Sequence, residues 1–184
     1  METLNWKTDR IARVTPEQFY ALIDRNRERI NNAFPVTVSG CSDLRNTAKF
    51  LKEAVDNEIW NEQYYFYLRD NESGELIGYV VIKNIELDIS ICELAYFIDS
   101  DFEGKGIITK AVGNILDHCF GEMNMNKVAI STLKLNTASQ KVALKHGFVQ
   151  EGILRQEFKS GEGVLEDIVY FGLLKSEYRK NEKN

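Results

Sequence analysis

"ELAYFIDSDFEGKGIITKAV", residues 93–112, joins an apolar run to a polar turn and the turn to apolar residues at helical spacing. Its first part has the length and the β-branched and aromatic content of a strand. Ile108, Ala111, Ile115 and Cys119 recur every three or four residues and predict the inner face of a helix reaching about Phe120. Between the two, Gly104 and Gly106 flank Lys105. A strand, a glycine turn and a helix make a natural anion site: the first backbone N–H groups of a helix lack internal partners and carry partial positive charge. Glycines let a ligand approach the backbone closely, and Lys105 adds a full charge.

Two familiar phosphate loops fail here. A dinucleotide fingerprint needs a third glycine where this chain has Thr109, and the Gly-x4-Gly-Lys-Ser/Thr pattern of a P-loop occurs nowhere. The glycines by themselves fit a plain connector as well as a phosphate cradle.

Outward from this stretch the pattern is mixed α/β. A short strand to Val14 precedes a helix over "TPEQFYALIDRNRERI", with Thr15 as N-cap and Pro16 at the first helical position. A second helix is expected over "SDLRNTAKFLKEAVDNEIW", with Leu44, Ala48, Leu51, Val55 and Ile59 on its buried face. "QYYFYLRDNESGELIGYVVIKNI" reads as two strands joined by a tight turn at Asn71 to Gly74, with Gly78 marking a break or bulge. After the glycine turn come strand "KVAIST", helix "NTASQKVALKH" closed by Gly147, and two strands around "KSGEG". Residues 1–176 read as one domain and 177–184 as a charged, frayed tail.

Composition narrows the function. The net charge of −5 argues against sequence-independent nucleic-acid binding and suits a cationic small substrate or basic peptide. The longest apolar runs are too short to span a bilayer, and Met1 is followed by "ETLNWKTDR" rather than a basic and then apolar leader, so a soluble, cytoplasmic protein is expected. Cys41, Cys92 and Cys119 lack CxxC spacing, and His118 and His146 lack ligand spacing, so neither a disulfide framework nor a metal site is expected. His146, just before a capping glycine, reads as a helix-end residue.

The window "EGKGII", Glu103 to Ile108, resembles the acyl-coenzyme A signature Q/R-x-x-G-x-G/A of the GNAT superfamily of N-acetyltransferases, with Glu103 and Ile108 departing from it. The likeness continues in motif order. "ELAYFIDSDFEGKGIITKAV" is similar to the fourth strand and pyrophosphate loop of the RimJ/RimL-type branch. "NTASQKVALKHGFVQEGILRQEF" is similar to its next helix and strand, with N-x-x-S and GF-x-x-EG-x-L-R, and "RINNAFP" resembles its first helix and following loop.

The resemblance implies a single domain built on a mostly antiparallel sheet of six or seven strands, the fourth and fifth splayed apart, flanked by about four helices. It implies acetyl-CoA as co-substrate and no metal. The pyrophosphate would lie on the backbone of Glu103, Gly104, Lys105, Gly106, Ile107, Ile108 and Thr109, and the pantetheine arm along the strand ending at Phe97 and Ile98. Direct transfer to a neutral amine then leaves two proton tasks, one at the ammonium and one at the departing sulfur. Many members use a tyrosine for the second; its place here is Ala143. Ser139 of the N-x-x-S motif is the expected substitute and Asn136 a contact to the cofactor arm, although each also reads as a residue of a helix first turn. Glu93 and then Glu157 are the candidate bases, each of which could equally be a solvated or paired carboxylate. The implied acceptor is a protein N-terminal amine or a small amine; a non-catalytic acyl-CoA sensor stays open, as does a monomer or homodimer.

Overall fold

In a computed structural model describing residues 5–181, the chain forms seven strands and six α-helices among the described residues. In chain order they are β1 (Trp6–Asp9), α1 (Pro16–Ile30), α2 (Pro35–Gly40), α3 (Leu44–Ile59), β2 (Tyr64–Asp70), β3 (Leu76–Glu86) and β4 (Ile91–Ile98). There follow α4 (Ile107–Gly121), β5 (Lys127–Leu133), α5 (Thr137–Lys145), β6 (Val149–Lys159), β7 (Leu165–Leu174) and α6 (Lys175–Asn181).

The strands make one sheet in the order β1-β2-β3-β4-β5-β7-β6, antiparallel at every step except β4 beside β5. Period-two alternation gives the sheet two apolar faces. Tyr65, Tyr67, Tyr79, Val81 and Phe97 join the layer of α1, α2 and α3. Phe66, Leu68, Val80, Ile82 and Leu94 join the layer of α4 and α5. The central strands are thus covered on both sides, which is why "YYFYL" and "YVVI" read as continuous apolar runs.

Several local expectations hold for stated reasons. Thr15 and Gln18 form a reciprocal capping box at α1, with Pro16 in the first turn. Opposite the Leu68/Arg69 step of β2, β3 carries an extra residue at Ile77, so Gly78 sits at a bulge. A Cβ on Gly78 would come within 2.4 Å of the Phe97 carbonyl oxygen, a clash that only glycine avoids.

Others are corrected. The opening strand stops at Asp9 and gives way to a 3-10 turn, Ile11–Arg13. The six-residue α2 was not foreseen. The inner face of α3 is Thr47, Leu51 and Ala54, not the expected Leu44, Ala48, Leu51, Val55 and Ile59, of which only Leu51 is buried. The stripe is rotated because Thr47 can be buried: its hydroxyl donates to the Asp43 carbonyl at 2.8 Å, satisfying a polar group that an apolar-only reading places outside. Lys175–Asn181 is helical, and Tyr178 packs on Phe120 with its hydroxyl donating to Asp117; the rest of the expected tail, 182–184, lies outside the described residues.

Candidate active site

β4 pairs with β3 from Ile98 opposite Gly78 to Glu93 opposite Lys83 and, past an irregularity, at Ile91 opposite Glu86. Its other edge behaves differently. Pairing with β5 covers only Ile91–Lys127, Cys92–Val128 and Glu93–Ala129, after which the two strands part. Leu94 to Ile98 and Ile130 to Leu133 therefore line a fork with no strand between them. Main-chain polar groups along such a gap require partners from outside the ladder.

Beyond the end of β4 the chain makes a 3-10 turn, Ser100–Phe102, and then the glycine loop. Gly104 and Gly106 adopt φ of +70° and +78°, left-handed values that a side chain disfavours. Space is open where a Cβ on either would stand. Gly106 is the N-cap of α4 and brings no side-chain acceptor, so the amides of the first turn are left without a capping partner. The Ile107 and Ile108 side chains are buried in the core beneath, while Glu103 and Lys105 are exposed. Lys105 Nζ lies 4.9 Å over the ring of Phe102.

The segment is held from behind by α1. Asp99 accepts from Arg25 Nε, from Asn26 Nδ2 at 3.1 Å and from the Asp101 amide at 3.1 Å. Burial works against the Asp99 charge, yet these donors hold its carboxyl below the usual carboxylate range. Asn26 Oδ1 accepts from the Ser100 amide at 3.3 Å. Arg29 donates to Asn26 Oδ1, to the Ile98 carbonyl at 2.5 Å and to Glu103 Oε1 at 2.5 Å. The Ile98 carbonyl expected along the cofactor arm is therefore already engaged. Phe97 turns its ring into the aromatic layer of α1 and α2, 5.0 Å from Tyr79 and 5.7 Å from Phe34.

Below the fork opens a cleft of about 430 Å³ that reaches Glu93, Tyr96, Ser131, Asn136 and Ser139. Its far wall is Phe34, Phe50, Tyr65 and Tyr79. Asn136 caps α5 by accepting from the Ser139 amide at 3.1 Å, which fixes Ser139 in the first turn facing β4. There the Ser139 hydroxyl lies 3.1 Å from the Tyr96 hydroxyl, which also donates to the Ser139 carbonyl at 3.2 Å. Burial raises the Tyr96 phenol to about 12, so it stays protonated at neutral pH. Ala143 is buried in the core; the phenol absent there enters the site from β4 instead.

Glu93 sits at the last β4–β5 pair, with its side chain 13% exposed. It accepts from the Ser131 hydroxyl and from Asn84 Nδ2 at 2.8 Å, and lies 3.4 Å from Lys83 Nζ. Glu157 does not join it. Gln156 has φ of +54°, and the β6–β7 register shifts between Leu154 and Phe158. Phe158 lines the cleft, whereas its neighbour Glu157 is exposed and off the lining, as alternation along a strand demands.

Thus the fold brings Glu93, Asn136 and Ser139 to one cleft, whose lining includes neither the loop 103–109 nor Glu157. Tyr96, Ser131 and Lys83 escape a reading from sequence. For Tyr96 a signal existed: it shares the phase of Cys92 and Leu94, and a phenol on a buried face needs a polar partner.

Residues 10–149 match the acetyltransferase (GNAT) domain model. Escherichia coli ribosomal-protein-serine acetyltransferase is 33% identical over 139 residues, 74% of this chain and 75% of that one. Bacillus subtilis YdaF is 36% identical over 105 residues, a match spanning 57% of each chain. Among solved structures, ribosomal-protein-S5-alanine acetyltransferase from Vibrio fischeri superposes with a TM-score of 0.82 at 21% identity, covering 97% of both chains, a likeness of fold. The forked sheet and the glycine loop are the architecture of an acetyltransferase. The chain belongs to the GNAT family of N-acetyltransferases, with relatives among the ribosomal-protein acetyltransferases.

Proposed function

We propose that this chain moves the acetyl group of acetyl-CoA to the α-amine at the N terminus of a protein or peptide. Three features fit the cofactor: the uncapped start of α4, the two left-handed glycines with open space above them, and the unpaired edges of the fork. The amides of Gly104 to Thr109 would hold the diphosphate and the edge of β4 the pantetheine arm. Acetyl-CoA supplies, when bound, an acetyl thioester whose thiol departs on transfer.

The chain's own groups cover the proton tasks. Ser139, fixed by the Asn136 cap and by Tyr96, presents a hydroxyl at the fork for the departing sulfur. Glu93 receives the proton of the incoming amine, directly or through the Ser131 hydroxyl that donates to it. Unpaired main-chain N–H groups along the fork suit the stabilisation of a developing oxyanion.

One observation carries the choice of acceptor. The carboxylate at the fork already accepts from Asn84 and Ser131 and lies beside Lys83, so its oxygens are shared with three donors of the chain itself. An α-amine, with a pKa of about 7.8, needs little help to be neutral at pH 7, whereas a lysine at about 10.4 needs over three units. The cleft points the same way: of its lining residues only Glu53 and Glu93 are acidic, and the rest is chiefly aromatic and aliphatic. A polyamine would call for more carboxylates than that.

The test offers the protein, with acetyl-CoA, a set of peptides with free N termini, lysine peptides blocked at the N terminus, and spermidine. Mass spectrometry should place the acetyl group on the α-amine. Acetylation confined to lysine or to spermidine would overturn the reading, and cofactor binding without any turnover would make the chain an acyl-CoA sensor.

A further inference from the structure

The segment that would receive a diphosphate is acidic. Between the end of β4 and the start of α4 stand Asp99, Asp101 and Glu103 against the single cation Lys105. Glu103 opens the glycine loop, where a carboxylate would repel the phosphates that the amides next to it attract. Helix α1 answers this charge. Arg25 and Arg29 lie four residues apart and so share one face, Arg25 on Asp99 and Arg29 on Glu103.

Resting on the assignment of coenzyme A to this loop, we propose that Arg29 is a positioning residue for the cofactor. It acts by neutralising Glu103, the carboxylate that opens the loop. The pair is half exposed, 37% for Arg29 and 53% for Glu103, and an ion pair so placed contributes little to folding. Its value lies in what it removes from the phosphate site: a bare negative charge. Arg29 and Glu103 are thus a matched pair: the carboxylate is harmful without the arginine, and the arginine's charge is spent on the carboxylate rather than on the diphosphate.

Calorimetric titration with coenzyme A alone, which needs no acceptor, separates this from a purely structural role. Arg29→Ala should weaken binding about tenfold, the scale of one uncompensated charge near a diphosphate at a protein surface. Glu103→Gln alone should tighten binding, by roughly threefold. The double variant should return to within about threefold of the unaltered protein, because without the carboxylate there is nothing to neutralise. A double variant as weak as Arg29→Ala would overturn the proposal, since Arg29 would then act through Ile98 and Asn26 or on the phosphate itself. Should Arg29→Ala fail to fold, Glu103→Gln still decides, and unchanged or weaker binding by it refutes the pairing. If the unaltered protein takes up no coenzyme A, the cofactor assignment itself falls, and this inference with it.

Discussion

The helices of this protein begin in two ways. α1, α3 and α5 are closed by their own side chains: Thr15 accepts from the Gln18 amide, Asp43 from the Asn46 amide at 2.8 Å, and Asn136 from the Ser139 amide at 3.1 Å. α4, fifteen residues long, begins at a glycine with no side-chain acceptor. The edges of β4 show the same contrast, one paired with β3 as far as Ile98 and the other released by β5 after Glu93. The six-residue α2 also starts without a side-chain cap, at Phe34, but of the helices longer than seven residues among those described only α4 does, and it follows the strand whose edge β5 releases; a ligand able to use both sets of backbone groups would satisfy them.

The most damaging way to break the contrast is to close the open helix start. Gly106→Val forces a β-branched residue into a left-handed conformation and puts a side chain into the empty space above the loop. Loss of two charge-assisted hydrogen bonds predicts coenzyme A binding weaker by about 100-fold or more by calorimetry. Removing a closed start should do the reverse. Asp43→Ala should cost about 1 kcal/mol of stability, read in thermal or denaturant unfolding, and leave coenzyme A affinity as it was. A change in affinity there would show that capped and uncapped ends do not divide structure from function.

The smallest effect concerns the back of the open end. His146 Nε2 donates to the Thr109 carbonyl in the first turn of α4, at 2.7 Å. Burial lowers the His146 pKa, and the bond to Thr109 and repulsion from Lys145 act in opposite directions beside it. A histidine with a folded pKa below its unfolded value of about 6.5 stabilises the fold above that pH, and the contribution is lost as pH falls. Melting temperature should therefore decline between neutral pH and about pH 5, less steeply in His146→Gln, while the unaltered protein at pH 8 shows none of this loss. Equal acid slopes in the two proteins would remove His146 from the account of the α4 start.

Much of the architecture was legible because it rests on local chemistry. Alternating apolar strands, the Thr15-Pro16 and Asn136 caps, Gly78 at a bulge and the helix from Ile107 each follow from a few neighbouring residues. Where the structure adds to or corrects the pattern, the partner a side chain finds decides, whether four residues away or far along the chain. The face of α3 was misjudged because Thr47 finds its acceptor in Asp43 and is thereby free to be buried. Glu157, the second candidate base, stands exposed on β6 off the cleft lining, where Gln156 takes a positive φ and the register with β7 shifts. Tyr96 drew no reading of its own, and the fold stands it against a serine 43 residues away.

From its order of residues alone the chain determined a strand, a glycine turn without a capping side chain and an amphipathic helix, because backbone conformation and helix-end chemistry depend on near neighbours. Only the tertiary structure decided which groups share the cleft and which charges cancel. The parting of β4 from β5, the Tyr96–Ser139 contact and the Arg29–Glu103 pair are each made across long stretches of chain, where packing of the two layers on the sheet, and no local preference, sets what meets what.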